Sequence, residues 1–598
     1  MSVVSTPYSS VSSILKSSGA RTSLIRAQKK ISFKLPKNLK VILTNYENGC
    51  NRQEYQDTIC IIRDTNIKEY DLLEFLSSLQ ECVSMLGKNH KFLIEAMLKI
   101  NWISRSSEVI ASYKKFIEDL MCIHIYHSKL IFDNLVNQFK LTEDGDTKWC
   151  EGKCPEKYLT KSNHVHDLLK KFLRIIPMSI EIFLQTLEFH YPRTNEGILV
   201  AEQYQFSLIQ ILSYAPQLRK EILGLIIRKL TTLDVTIPPS EILAYDENTD
   251  DDYDDDEEMF DMDDANDKNN SKAFKDTELK HPDAEILDVC MEQIFSYVYD
   301  CCHVDGQLQI ESIKSIYNDL LHNFERIIFT TQSSHHVQFI MFYLCSFKTL
   351  VAETFIRRLW QAVSSPSVIT PVRQTSVAYI ASLLARATYL RINLIQGVLS
   401  EIVSWVHSYI SSQDSVESAD PTAHALFYSM CHAIFYLIAF RHKDLTEGKK
   451  NLLFLQELNI TKIVTSRLNP LKFCQPAVVQ NFAAVTRKYQ IAYCYTVIDR
   501  NSRSNLPVLY NTNCTVTALE TFFPFDPYLL PLSGRRIAPI YNSSANAMNS
   551  NATDSNAAKD KSCDENDFMD DSFLSCSPEP KNHIDKFSYS TSPGFMYT

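Results

Sequence analysis

The side chains best able to do chemistry in this sequence are cysteines, histidines and serines, and their spacing limits what they can do. Cys150 and Cys154 in "CEGKC", followed by His164 and His166, form the one Cys/His group with near-ligand spacing. Structural zinc is held tetrahedrally by thiolate and imidazole pairs, and an H-x-H pair aims both rings at one metal only from extended backbone. This stretch therefore reads as a surface loop rather than a zinc site. No glycine pair has the spacing of G-x-x-x-x-G-K-S/T or G-x-G-x-x-G, the loops that cradle nucleotide phosphates. Neither H-E-x-x-H nor a nucleophile elbow occurs. No catalytic residue, metal ligand or cofactor-binding residue is assigned, and the chain reads as a binding protein and not an enzyme.

The serines are the stronger lead. Ser77, Ser78 and Ser84 in "LLEFLSSLQECVS" precede Ser104, Ser106, Ser107 and Ser112 in "NWISRSSEVIAS". Both stretches have helical spacing, so their hydroxyls can form a neutral docking surface. Phosphorylation would switch it off, because each phosphate adds close to two negative charges that must be desolvated against a partner. The alternative is serine scattered by chance over helix surfaces. Near the C-terminus Ser577-Pro578 and Ser592-Pro593 suit proline-directed kinases, and Ser562, three residues before Glu565, suits an acidophilic one. At the other end Lys29, Lys30 and Lys34 lie in a Ser-rich stretch without acids, as a nuclear-import signal does.

The elements that must carry these residues are helices. In "HDLLKKFLRIIPMSIEIFLQTLEF", Leu168, Phe172, Ile175 and Ile176 fall on one face at i, i+4, i+7 and i+8. Pro177 then interrupts, and Ser179 is expected to cap a second helix. The same helix, break, helix texture recurs to the end of "TPVRQTSVAYIASLLARATYL", where Thr370 is expected to cap and Pro371 to open the helix. Only 12 glycines occur in 598 residues, about 2% against a usual ~7%. Paired helices at intervals of roughly 40 residues predict an all-α, HEAT-like helical-repeat solenoid; an irregular bundle is the rival. Composition divides the chain into a basic, Ser-rich disordered tail (1–45), N-terminal repeats (46–236), an acidic disordered loop (237–281), C-terminal repeats (282–540) and an acidic Asn/Ser-rich disordered tail (541–598).

Charge refines the picture. Asp246–Asp267 holds fourteen carboxylates and no Lys or Arg, inside a chain of net charge −11. The segment after Ile540 adds −5, so the remainder of the chain is mildly basic at +8. Outside the N-terminal tail its basic residues form no cluster denser than pairs such as Arg357-Arg358 and Arg487-Lys488, which argues against direct sequence-specific DNA binding. No apolar run reaches the ~18 residues of a membrane helix. The 16 scattered cysteines suit buried thiols in a reducing compartment, and a soluble, intracellular protein is expected.

"YVYDCCHVDGQL", "HHVQFIMFYLCSF", "YIASLLARA", "FRHK", "LNPLKFC", "AYCYTVIDRN" and "TFFPFDPYLL", in this order between about 284 and 540, resemble the RNA polymerase I-specific initiation factor family. The likeness is weaker between 70 and 236, resting on "LLEFLSS" and "KFLRIIP". It implies a HEAT-repeat protein of the nucleus and nucleolus, without catalytic activity or cofactor, that links polymerase I to the promoter core factor. It also implies a serine-bearing, phosphoregulated N-terminal surface facing the polymerase, to which Ser77, Ser78 and Ser179 match best. Expected partners are polymerase I, core factor subunits and a second copy when free, with no membrane. The rival function is a nuclear transport adaptor. Where the family commonly reads "YIGSFLARA", this chain has Ala381. The aromatic density of "FIMFYLCSF" and "FFPFDPYLL" predicts that Phe342 and Phe523 are packed interior.

Overall fold

The computed structural model describes residues 35–36, 38–64, 67–140, 149, 154–238, 242, 279, 281–331, 334–413, 422–504 and 523–543. They form two compact units, one of residues up to 141 with 155–191, the other of 142–154 and everything from 192 onward. Lys29, Lys30, Lys34, the run 246–267, Ser562, Ser577 and Ser592 lie outside the described residues.

Unit 1 is built from helix pairs. Leu39–Glu47 is followed by Arg52–Asp64, Glu69–Glu81 by Lys91–Leu98, Ser107–Ile123 by Ser128–Asn137, and Glu156–Ile175 by Ile180–Phe189. First helices pack on first helices and second on second. The stacking is parallel: Lys114 meets Asp167 at 3.0 Å and, four residues on, Glu118 meets Lys171 at 2.6 Å. Each pair is thus a translated copy of the one before, which is the HEAT-like arrangement. Within Ser107–Ile123 the buried Val109, Tyr113, Phe116, Ile117, Leu120 and Met121 recur at i, i+3 and i+4, so one stripe faces the neighbouring helices. Successive turns also interlock. The His124 imidazole bonds the Val83 carbonyl at 2.7 Å, and His127 Nε2 bonds that of Leu86 at 3.1 Å.

Two local expectations fail in unit 1. Leu168, Phe172 and Ile176 are buried, but Ile175 is exposed, because the helix ends there and a 3₁₀ turn at Pro177–Ser179 swings it outward. Ser179 makes no side-chain cap; it sits in that turn and its hydroxyl donates to the Ile176 carbonyl at 2.7 Å.

Unit 2 continues with Ile198–Tyr214 and Arg219–Thr236, Pro282–Cys302 and Ile310–Asn323, Phe339–Ser346 and Thr349–Ser364, and Thr370–Arg386 and Ile392–Ser412. Ala425–Phe440 is followed by the short helices His442–Thr446, Gly448–Glu457, Ile460–Val464 and Pro470–Phe473, then by Pro476–Lys488 and Tyr495–Ser504. Among the described residues the one sheet is a hairpin, His303–Val304 with Gln307–Leu308, turned by Asp305 and Gly306, both at positive φ. Gly224 permits a close helix approach: a Cβ there would stand 2.8 Å from Asn323 Oδ1. Thr370 lies inside its helix and not at the cap, with Ile369 before it and Pro371 in the first turn. Ala381 is buried in the same helix.

The segment Phe523–Ser543 returns to the middle of unit 2. Gln338 Nε2 donates to the Pro524 carbonyl at 2.6 Å, and the Ser382 hydroxyl accepts from Phe525 N–H at 3.0 Å. Asp288 accepts the backbone N–H groups of Leu532 and Ser533, each at 2.7 Å. Asp234, buried, accepts three more from His335, His336 and Val337 and bonds the His336 ring at 2.8 Å. Asp234 satisfies loop donors and Asp288 the first-turn N–H groups of helix Pro531–Ile537. Pairing runs on to Asn542, whose N–H donates to the Arg386 carbonyl at 2.7 Å, two residues past the boundary at 540. At the other end, helix Leu39–Glu47 straddles the boundary at 45, and the two units change over at 141/142, 154/155 and 191/192.

Glu202 is the least comfortable carboxyl in unit 2. Burial lifts its pKa to about 7, against a Trp149 backbone N–H that lowers it, and Oε1 has no hydrogen-bond partner. The folded chain therefore holds a proton here that the unfolded chain releases near 4.5, so stability falls as pH rises from about 4.5 to about 7 and stays reduced above. Glu202→Gln is expected to raise the melting temperature by a few degrees at pH ~8 and hardly at all at pH ~4.5. An equal gain at both pH values, read by thermal unfolding, would remove ionisation as the cause.

Candidate docking surface

The two serine-bearing stretches become neighbours in unit 1. Helix Glu69–Glu81 lies along Ser107–Ile123, joined by Gln80 Nε2 donating to the Ser112 carbonyl at 3.0 Å and Ser106 N–H donating to Glu69 Oε1 at 3.3 Å. Arg105 braces the loop between them by donating to the Ile67 carbonyl at 2.7 Å. Ser77, Ser104 and Ser107 are exposed, and Ser78, Ser106 and Ser112 are half-buried. Ser77 and Ser78 turn their hydroxyls back to the carbonyls of Leu73 and Glu74, at 3.0 and 3.1 Å. Each hydroxyl thereby satisfies its own donor and still offers lone pairs outward. Ser106 occupies the position before helix Ser107–Ile123 without a side-chain cap bond.

Ser179 does not join this surface. It is only 1% exposed, held in the turn between two helices, and a kinase or partner could reach it only by opening that turn. The resemblance at "RIIPMS" therefore marks a packing position.

Sequence reasoning missed an apolar edge at the C-terminal end of the same helices. Because the first helices of unit 1 run parallel, their C-terminal turns lie at one end of the stack. That end exposes Ile123, Ile125 and Tyr126 from one turn and Ile175 and Met178 from the next, Met178 being 88% exposed. Lys88 sits over the Tyr126 ring at 5.0 Å, tying in the turn before. The signal was the pairing of apolar residues across both breaks, "CIHIY" and "RIIPMS", where a helix end needs none.

The Cys/His group does not assemble as a ligand set among the described residues, which hold no cluster of three or more His, Cys, Asp or Glu able to bind a metal. His166 is buried and stacked on Phe139, burial lowering its pKa to about 3, and His164 Nδ1 faces Lys114 Nζ at 3.1 Å. Cys150 lies outside the described residues. No helix among them is long and apolar enough to cross a membrane.

Comparison with known proteins places this architecture. The family described as RNA polymerase I specific transcription initiation factor RRN3 matches residues 36–547. The RNA polymerase I-specific transcription initiation factor RRN3 of Mus musculus is 35% identical over 506 residues, spanning 80% of this chain and 76% of the relative. The corresponding factor of Schizosaccharomyces pombe is 25% identical over 495 residues, spanning 79% of each. A crystal structure of RNA polymerase I transcription initiation factor Rrn3 shares the fold with a TM-score of 0.67 at 20% identity, covering 85% of this chain and 98% of that one. The match over most of the chain and the identity to the mouse relative decide the assignment: the chain belongs to the RRN3 family of RNA polymerase I-specific transcription initiation factors.

Proposed function

We propose that this initiation factor is a non-catalytic adaptor that binds polymerase I through unit 1 and the promoter core factor through unit 2, and that phosphorylation of the unit 1 serines releases the polymerase. The observation that carries this reading is the side-by-side packing of helices Glu69–Glu81 and Ser107–Ile123, which brings the two serine-bearing stretches together on a stack whose C-terminal turns expose apolar side chains. Such a surface suits a large protein partner, with apolar area supplying affinity and neutral hydroxyls supplying a charge switch. Membership of the family implies a nuclear site of action; residence in the nucleolus, import through Lys29, Lys30 and Lys34, tail phosphorylation at Ser562, Ser577 and Ser592, and self-association when free belong to the proposal. Tagged chain from growing cells should retain polymerase I. Retention of import cargo in its place would support a nuclear transport adaptor.

The acidic run has a place in this reading. Its fourteen carboxylates repel nucleic acid from a mildly basic body. Deleting 246–267 is expected to leave folding and polymerase binding intact and to increase salt-sensitive retention on non-specific DNA. Unchanged DNA retention would leave the run as a tether only.

A further inference from the structure

Helix Thr370–Arg386 opens on a hydroxyl that the fold does not use. Thr370 holds its first position and is exposed, and its hydroxyl makes no hydrogen bond among the described residues. The chain before it, from Ser365 to Ile369, lies outside any helix; Ile369 is 67% exposed and extended, with φ −62° and ψ 146°. After it come Pro371, Val372 and Arg373. Of the five Ser/Thr-Pro pairs in the chain, at Thr6, Ser365, Thr370, Ser577 and Ser592, Thr370 alone has a Lys or Arg two places beyond the proline. Ser365, in the same loop, is the natural contrast. Val368 stands where the cation would be, and the half-buried Ser365 shares a hydrogen bond with the Ser367 hydroxyl at 2.8 Å.

We propose that Thr370 is a phosphorylation site for a proline-directed kinase that also reads a cation three residues after the acceptor, here Arg373. Such a kinase closes on the residue after the acceptor without offering its N–H a partner, and proline has no N–H to leave unpaired. The guanidinium beyond it meets acidic or phosphate groups of the kinase in charge-assisted hydrogen bonds. Thr370 Oγ1 attacks the γ-phosphorus of ATP, the bond from that phosphorus to the bridging oxygen breaks to release ADP, and the hydroxyl proton passes to the kinase's catalytic carboxylate. A kinase holds its substrate extended, so the first turn must open. That opening costs little, because first-turn N–H groups have no partner within a helix in any case. The earliest backbone bond of this helix runs from Arg373 N–H to the Ile369 carbonyl at 3.2 Å. The Arg373 side chain is held by one bond, from Nε to the Val363 carbonyl at 2.7 Å, and no acid stands between Ser365 and Arg373 to compete for it. The phosphate brings negative charge to unit 2 independently of the unit 1 serines.

The test is site-resolved mass spectrometry of the full folded chain during incubation with a cyclin-dependent kinase and ATP. Thr370 should be modified about tenfold faster than Ser365, or more. Arg373→Ala should slow modification of Thr370 about tenfold, and Arg373→Lys should keep most of the rate. Loosening of the turn by loss of Arg373 would act in the opposite sense, by freeing Thr370, so a slower rate reports recognition and not damage to the fold. No phosphate on Thr370 of the folded chain would overturn the proposal. So would an equal rate in Arg373→Ala, a preference for Ser365, or modification of Thr370 only after the chain is unfolded.

Discussion

Phe342→Ala is expected to destabilise unit 2 by about 3–5 kcal/mol, the cost of emptying a fully buried aromatic site that cannot collapse. The ring has no exposed surface. It is enclosed by Phe339 at 5.4 Å, Phe525 at 5.0 Å, Tyr389 at 5.7 Å and Tyr541 at 6.1 Å, measured between ring centres. Those neighbours come from three separate stretches of chain and hold one another: Tyr541 donates to the Phe525 carbonyl at 3.0 Å, and Tyr389 to that of Phe342 at 3.0 Å. Removing the ring therefore leaves a cavity among residues already fixed by hydrogen bonds. It also loosens the returning segment Phe523–Ser543. At roughly 2–4 °C per kcal/mol for a unit of this size, the melting temperature should fall by about 10 °C. Phe523→Ala should cost less than Phe342→Ala, since Phe523 leans on His432 and Tyr436 at the margin of the same core. An unchanged thermal transition in Phe342→Ala would show that the ring adds nothing to packing.

That these aromatics are core could be read from their density, and so could the helical repeat. A stripe at i, i+3 and i+4 is a property of a single helix, visible wherever its apolar face is turned inward. What lies outside a single helix was hidden. Ile175 has the right spacing for the stripe, yet one more turn of helix would be needed to bring it inward, and Pro177 prevents that turn. Ser179 follows a helix break, the usual place for a cap, but the turn continues directly into the next helix and leaves no open N-terminal N–H for its hydroxyl to serve. The long-range carboxylate anchors were equally hidden. Asp234 and Asp288 look like surface residues of amphipathic helices, and the backbone groups they satisfy lie about a hundred and more than two hundred residues away.

For the surface, residue types were legible and their company was not. The sequence places Ser77 and Ser78 some thirty residues before Ser106 and Ser107, and only parallel stacking of successive first helices brings the two stretches together. The same stacking aligns Tyr126 with Lys88 and sets the exposed Ile175 and Met178 at the corresponding end of the next helix pair.

Replacing Ser77 and Ser78 together by Asp should abolish most polymerase I binding, whereas replacing both by Ala should leave it nearly intact. The asymmetry follows from where these residues lie. Glu74, Ser77, Ser78 and Glu81 share one face of helix Glu69–Glu81, and the helix contains no Lys or Arg. Two further carboxylates would turn that face into a compact negative patch, each charge having to shed its hydration against the partner. Alanine removes only bonds that the hydroxyls make to their own helix, to Leu73 and Glu74, each worth little net. The fold should tolerate both changes. Asp here lies in the C-terminal half of the helix beside two glutamates, which costs about 0.3–1 kcal/mol through the helix dipole and a few tenths more per like-charge pair. Unit 2 should still bind core factor in the Asp variant, because repeats in a solenoid depend chiefly on their neighbours. The measurement is a pull-down of polymerase I and of core factor with each variant. Equal retention of polymerase by the Asp and Ala variants would take these serines out of the interface, and a parallel loss of core factor would mean that the chain as a whole had misfolded and not that docking was lost.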